Sequence, residues 1–189
     1  MKKINLLLIA ILLVVTVSPQ NRRAEKKLVG TWTLENIYLE NADEFAQTIL
    51  DMQVDLLDKQ IALIENMIKD VEYEDVKQGY VEQLENLKTQ KEEFTLESVK
   101  EEINNEFDNL KGNLQLIFNK DKTYKNITEG NEQEGTWQIN NEGKELIITE
   151  NERDISFSIS KLTKKKLEMT FAEEQAEMKM KMRMKFSKN

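Results

Sequence analysis

Four methionines stand at alternate positions near the end of the chain, Met178, Met180, Met182 and Met184. Phe186 continues the row, and Lys179, Lys181, Arg183 and Lys185 fill the positions between. Alternation with period two marks a β-strand that has one buried face and one wet face. Four thioethers on one face are open to three kinds of chemistry. They can pack as core, or they can form a deformable wall for a variable apolar ligand, because methionine is unbranched and polarizable. They can also hold a soft ion such as Cu(I). Against the ion, the chain has no histidine or cysteine to assist, and the interleaved cations raise the local positive potential. The strand is therefore expected to close a sheet with methionines inside, cations in water and no metal.

The missing histidine also removes the usual general base near neutral pH. Carboxylate pairs are frequent only in one acidic segment, where they read as a solvated helix face. The expectation is a binding protein, not an enzyme, with no cofactor. Asn126-Ile127-Thr128 has the form of a glycosylation acceptor, a tripeptide that arises often by chance.

These residues need a frame to hold them. Met1-Lys2-Lys3 precedes an apolar run from Ile4 to Val17, too short for a membrane span of about 20 residues. It reads as a signal peptide over residues 1–20, leaving a single domain over 21–189 that is periplasmic or secreted and has no stable membrane anchor. Without cysteine the exported chain must rely on its core rather than on disulfides. Charge is unevenly distributed: residues 41–110 carry 19 acidic and 6 basic side chains, whereas the rest of the mature chain carries 16 and 19. A basic excess that small disfavours nucleic acid as a partner.

The acidic segment 41–110 has helical periodicity. Leu50, Val54, Leu57, Ile61, Ile64, Ile68 and Val71 follow a 4-3 spacing, the seam of a coiled-coil-like helix. Phe45, Ile49, Met52, Leu56 and Leu63 form a second stripe beside it. Val76 to Phe94 and Val99 to Leu110 supply one or two further helices, and Ser98 to Glu101 has the form of a capping box. After Gly112 the period changes to two, in short segments separated by turns. Together with a strand around Leu28–Tyr38 they make about eight antiparallel strands, enough for a closed up-and-down barrel. The fold class is α+β, mainly β with a helical insertion at 41–110.

Leu28-Val29-Gly30-Thr31-Trp32, with its Gly-x-Trp on the first strand, resembles the lipocalin-like families of the calycin group. Phe118, Asp121, Thr123 and Tyr124 are similar to the "F..DGTY" hairpin of bacterial lipocalin-like domains, and Gly135-Thr136-Trp137 to their second "GTW". Lys122 departs from that pattern by standing where it has glycine, and the insertion is longer than the usual loop. The resemblance implies an internal calyx for a small hydrophobic molecule, lined by Trp32, Phe118, Trp137, Phe157, Met169, Met178, Met180, Met182 and Met184. It also implies a helical lid from 41–110 and a cation packed across Trp32, for which Arg183 is the nearby arginine, although the alternation turns Arg183 outward. The alternative is an interaction module, in which a filled barrel carries helices that bind a protein partner or self-associate.

Overall fold

A computed structural model of the chain describes residues 18–175 and 178–189. The signal peptide expected over residues 1–20 lies outside the described residues except for Ser18, Pro19 and Gln20. Those three open a helix that the sequence reading did not anticipate, α1 (Pro19–Leu28). The Ser18 hydroxyl accepts the Gln20 amide at 3.2 Å, and Pro19 occupies the first turn, where no amide donor is required. Leu28, expected to lie in the first strand, instead ends α1 and is fully buried, with Ala24 one turn before it.

Eight strands follow: β1 (Gly30–Leu39), β2 (Gln115–Phe118), β3 (Thr123–Thr128), β4 (Asn131–Asn140), β5 (Glu145–Glu150), β6 (Arg153–Leu162), β7 (Lys166–Gln175) and β8 (Met178–Lys188). Each pairs antiparallel with its successor, and β1 pairs with β8, so the barrel is closed with no free edge. Between β1 and β2 the insertion forms α2 (Ala42–Asp70), α3 (Glu74–Glu93) and α4 (Leu96–Leu110). The third helix is thus separate from the second. Its capping box lies one turn earlier than the sequence suggests: the Thr95 hydroxyl accepts the Ser98 amide at 3.1 Å, and Ser98 Oγ accepts the Thr95 amide at 2.9 Å. Ser98 is the third helical residue rather than the cap.

The alternation on β8 sorts its side chains as expected. Met184 and Phe186 are buried, facing Met169 and Leu167 of β7 and Ile37 and Leu34 of β1. Each such side chain contributes about 1.5–3 kcal/mol by leaving water. Phe118 stacks edge-on to Trp137 at 5.7 Å between centroids and lies 5.3 Å from Tyr124. With Trp32, Leu116, Leu146 and Ile148 they fill the half of the barrel that α1 covers.

Two cations seal this floor. Lys188 Nζ lies 4.9 Å from the centroid of Trp32 and donates to the carbonyls of Lys27, at 2.7 Å, and Val29, at the end of α1. Burial pushes its pKa down from the ordinary lysine value. The cation over Trp32 is therefore Lys188, not Arg183, which faces out to pair with Glu40. Gly30 is required by this arrangement: its φ is +132°, and a Cβ there would lie 2.4 Å from Lys188 Cε. Lys122 holds its left-handed φ of 73°, the conformation glycine would adopt, and places Nζ 4.0 Å from the Trp137 centroid and 2.6 Å from Glu25 of α1.

Candidate functional site

At the opposite end of the barrel two hairpins are minimal. Glu129-Gly130 and Asn151-Glu152 turn β3 into β4 and β5 into β6 with two left-handed residues each. The insertion is the large feature there, and it is tied down at both ends. At its start, Asn41 gives up capping α2 with its side chain. Its Nδ2 donates to the Lys179 carbonyl at 2.8 Å, and its Oδ1 accepts the Lys181 amide at 3.1 Å. Glu40 beside it pairs with Lys181 at 2.6 Å and with Arg183. The Lys181 hydrogen bond, with Arg183 nearby, holds the Glu40 carboxyl below its usual range. At its end, the Gly112 amide donates to the Leu34 carbonyl and the Leu34 amide to the Leu114 carbonyl, each at 2.9 Å. Lys100 of α4 pairs with Asp43 of α2 at 2.7 Å, and that carboxylate raises its pKa.

Thus anchored, α2 packs against β8 and α4 against β1. Ala46 of α2 and Val99 of α4 are buried. Between the helices and the barrel mouth lies a cleft of about 440 Å3, within the roughly 300–1,000 Å3 of small-molecule sites. Phe45 and Ile49 of α2 form one wall, Val99, Ile103 and Phe107 of α4 another. Leu39, Met180 and Met182 supply the barrel side, and Phe94 closes the end of α3. The polar lining consists of Gln53, Glu102 and Glu106.

The nine residues expected to line one calyx are divided by the structure. Trp32, Phe118, Trp137, Met169 and Met184 are buried in the solid core. An eight-stranded interior is just wide enough for side chains to fill it. Phe157 is half-buried toward the mouth, its ring 5.7 Å from that of Phe171. Among the described side chains of the nine, only Met180 and Met182 reach the cleft. Met178 is in β8, but its side chain lies outside the described residues. The helical wall residues were legible as apolar stripes, yet nothing in their spacing says that one stripe faces a barrel rather than a helix. Asn126 of the glycosylation tripeptide pairs across from buried Leu116 and so lies on the same face of the sheet, half-buried near the mouth end of β3.

The far part of the insertion behaves differently. α2 and α3 run antiparallel, with Lys88 3.1 Å from Glu65 and Lys91 paired to Asp58. Leu57 and Ile64 of the heptad seam are buried, whereas Met52, Leu56 and Leu63 of the second stripe are 56%, 50% and 60% exposed. A groove of about 580 Å3 beside α1 is larger than the mouth cleft, but eight of its ten lining residues are polar, among them the Lys122–Glu25 pair. Among the described residues, no group of three or more acidic side chains is placed to hold a metal, and no helix is long and apolar enough to cross a membrane. The chain matches no protein-family model, and no curated protein matches it.

Proposed function

We propose that the protein is an exported, lipocalin-like carrier or sensor of a small hydrophobic molecule, held between the helical insertion and the barrel mouth rather than deep inside a calyx. The apolar cleft carries this reading: seven aliphatic or aromatic side chains from both parts of the molecule and two methionines converge on it. A cleft shared by two packed bodies can open by a small shift of one against the other, and methionine adapts to irregular ligands. The charged amino-terminal run followed by a short apolar stretch supports export.

A second reading has its own observation. Met52, Leu56 and Leu63 form an exposed apolar stripe on the projecting part of α2, which suits a protein-interaction module. Native mass spectrometry of freshly purified protein separates the two, since it reports both retained small molecules and subunit count. Titration with the neutral fluorophore N-phenyl-1-naphthylamine tests the cleft itself. Ile103→Trp, which fills the cleft, should weaken probe binding about tenfold or more, a loss of about 1.4 kcal/mol, without lowering the melting temperature. Saturable binding that is indifferent to Ile103→Trp and to Met180→Trp would overturn the proposal.

A further inference from the structure

We infer that the molecule held in the mouth cleft is an amphiphile with a cationic head, its apolar tail against α2, α4 and the methionines and its head between Glu102 and Glu106. The inference rests on the cleft being a ligand site, and three observations carry it.

The first is helix geometry. Val99, Ile103 and Phe107 repeat every four residues and present one face of α4 to the cleft. Glu102 and Glu106 each precede one of these residues, about 100° round the helix, and both line the same cleft. Two like charges one turn apart repel each other, and a cation bound between them relieves that repulsion.

The second is how the surrounding charges are used. Lys181 and Arg183 are paired with Glu40, Lys179 with Glu174, and Lys100 with Asp43. Among the described residues no cation is paired with Glu102 or Glu106, and the cleft lining contains no lysine or arginine. Lys100, the one basic residue of α4, lies on the other flank of the helix and is taken up by Asp43. A fatty-acid carboxylate beside Glu102 and Glu106 would add a third negative charge to a lining that contains no lysine or arginine.

The third is the wider field. Residues 41–110, from which most of the cleft is built, carry 19 acidic side chains against 6 basic ones. A surface of one sign concentrates counter-charged ligands before they bind.

The test uses three surfactants with one tail, decyltrimethylammonium, decyl maltoside and decyl sulfate. Each displaces N-phenyl-1-naphthylamine from the full-length protein at concentrations below micelle formation. The trimethylammonium compound should displace the probe at about a tenfold lower concentration than the sulfate, a gap that narrows as salt is added. The Glu102→Gln/Glu106→Gln variant should close that gap. Glu72→Gln/Asp75→Asn removes the same charge at the tip of the insertion and should preserve it. Equal displacement by all three heads would overturn the inference, as would a gap that survives Glu102→Gln/Glu106→Gln or shrinks equally in the tip variant. If the probe binds and Ile103→Trp blocks it while the heads are not distinguished, the cleft stands and only the head-group inference falls. If no probe binds, both fall.

Discussion

Removing the indole of Trp32 should be the most damaging single change to the barrel, and its size follows from the contacts. The ring is fully buried, its Nε1–H donates to the Leu28 carbonyl at 2.6 Å, and Lys188 sits over its face. Truncating a buried aromatic to alanine costs about 3–5 kcal/mol. The lost hydrogen bond leaves the Leu28 carbonyl unpaired at the end of α1, which adds about 1 kcal/mol or more. Trp32→Ala should therefore fall at the top of that range, against a total stability of about 5–15 kcal/mol. Trp32→Phe keeps most of the ring and isolates the polar part, with an expected loss of about 1–3 kcal/mol. A double-mutant cycle with Lys188→Met should show a coupling of about 0.5–1 kcal/mol from the cation and the ring. Urea unfolding followed by far-ultraviolet circular dichroism measures the parent and every variant without relying on indole emission. A Trp32→Ala protein within about 1 kcal/mol of the parent would refute the reasoning, because the floor would then not be organised around that side chain.

Gly30→Ala combines an unfavourable φ with displacement of Lys188 and should cost about 1–3 kcal/mol; adding Lys188→Ala should recover only part of the loss in the same urea assay, since the strain remains. Met184→Asp buries an unpaired carboxylate and should cost about 3–5 kcal/mol, whereas Lys181→Asp, on the wet face, should cost at most about 1 kcal/mol by losing its exposed pair with Glu40. Similar melting temperatures for these two variants would contradict the strand's orientation. Stability should also fall in acid. The Thr123 hydroxyl and amide hold the Asp121 carboxyl below its ordinary value, and Lys166 does the same for Glu35. A depressed folded pKa contributes stability that is present above the unfolded value, near pH 4, and lost as pH falls through the folded one. Urea midpoints measured from pH 6 to 2 should show this decline, and Asp121→Asn should flatten it.

Much of this architecture could be read from residue spacing, because one-sided burial writes its period into the sequence. The alternation from Met178 to Phe186 specified strand, face and orientation, and the 4-3 spacing of α2 specified a helix packed on helices. Features that depend on register were not legible. Lys188 reaches Trp32 because β1 and β8 pair Trp32 with Lys188, and no local pattern encodes which residues of distant strands lie opposite each other. α1 gave almost no hydrophobic signal, with Ala24 and Leu28 its only buried side chains; the Ser18-Pro19 start was the one cue available. The calyx expectation overlooked volume. Trp32, Phe118, Trp137, Met169 and Phe186 all point into one eight-stranded barrel, and side chains of that size leave little space. Which stripe of α2 meets the barrel was fixed by Asn41 and Gly112, residues whose bonding becomes visible only when the fold is complete.

The placement of β1 has a consequence for the order of folding. From β2 to β8 every pairing joins consecutive strands through a short turn, so that meander can form from contacts local in the chain. β1 has no such neighbour. One of its partners lies beyond three helices, and the other is the eighth strand of the barrel; Val29 and Lys188, which bond at this seam, are 159 positions apart. During synthesis the first strand therefore emerges with both edges unsatisfied and keeps one open until β8 is made. A chain interrupted before β8 is an open sheet with two adhesive edges, however well its helices have formed. Closure couples the first strand of the barrel to its eighth: β8 must weld β1, and that weld also brings Lys188 to the end of α1.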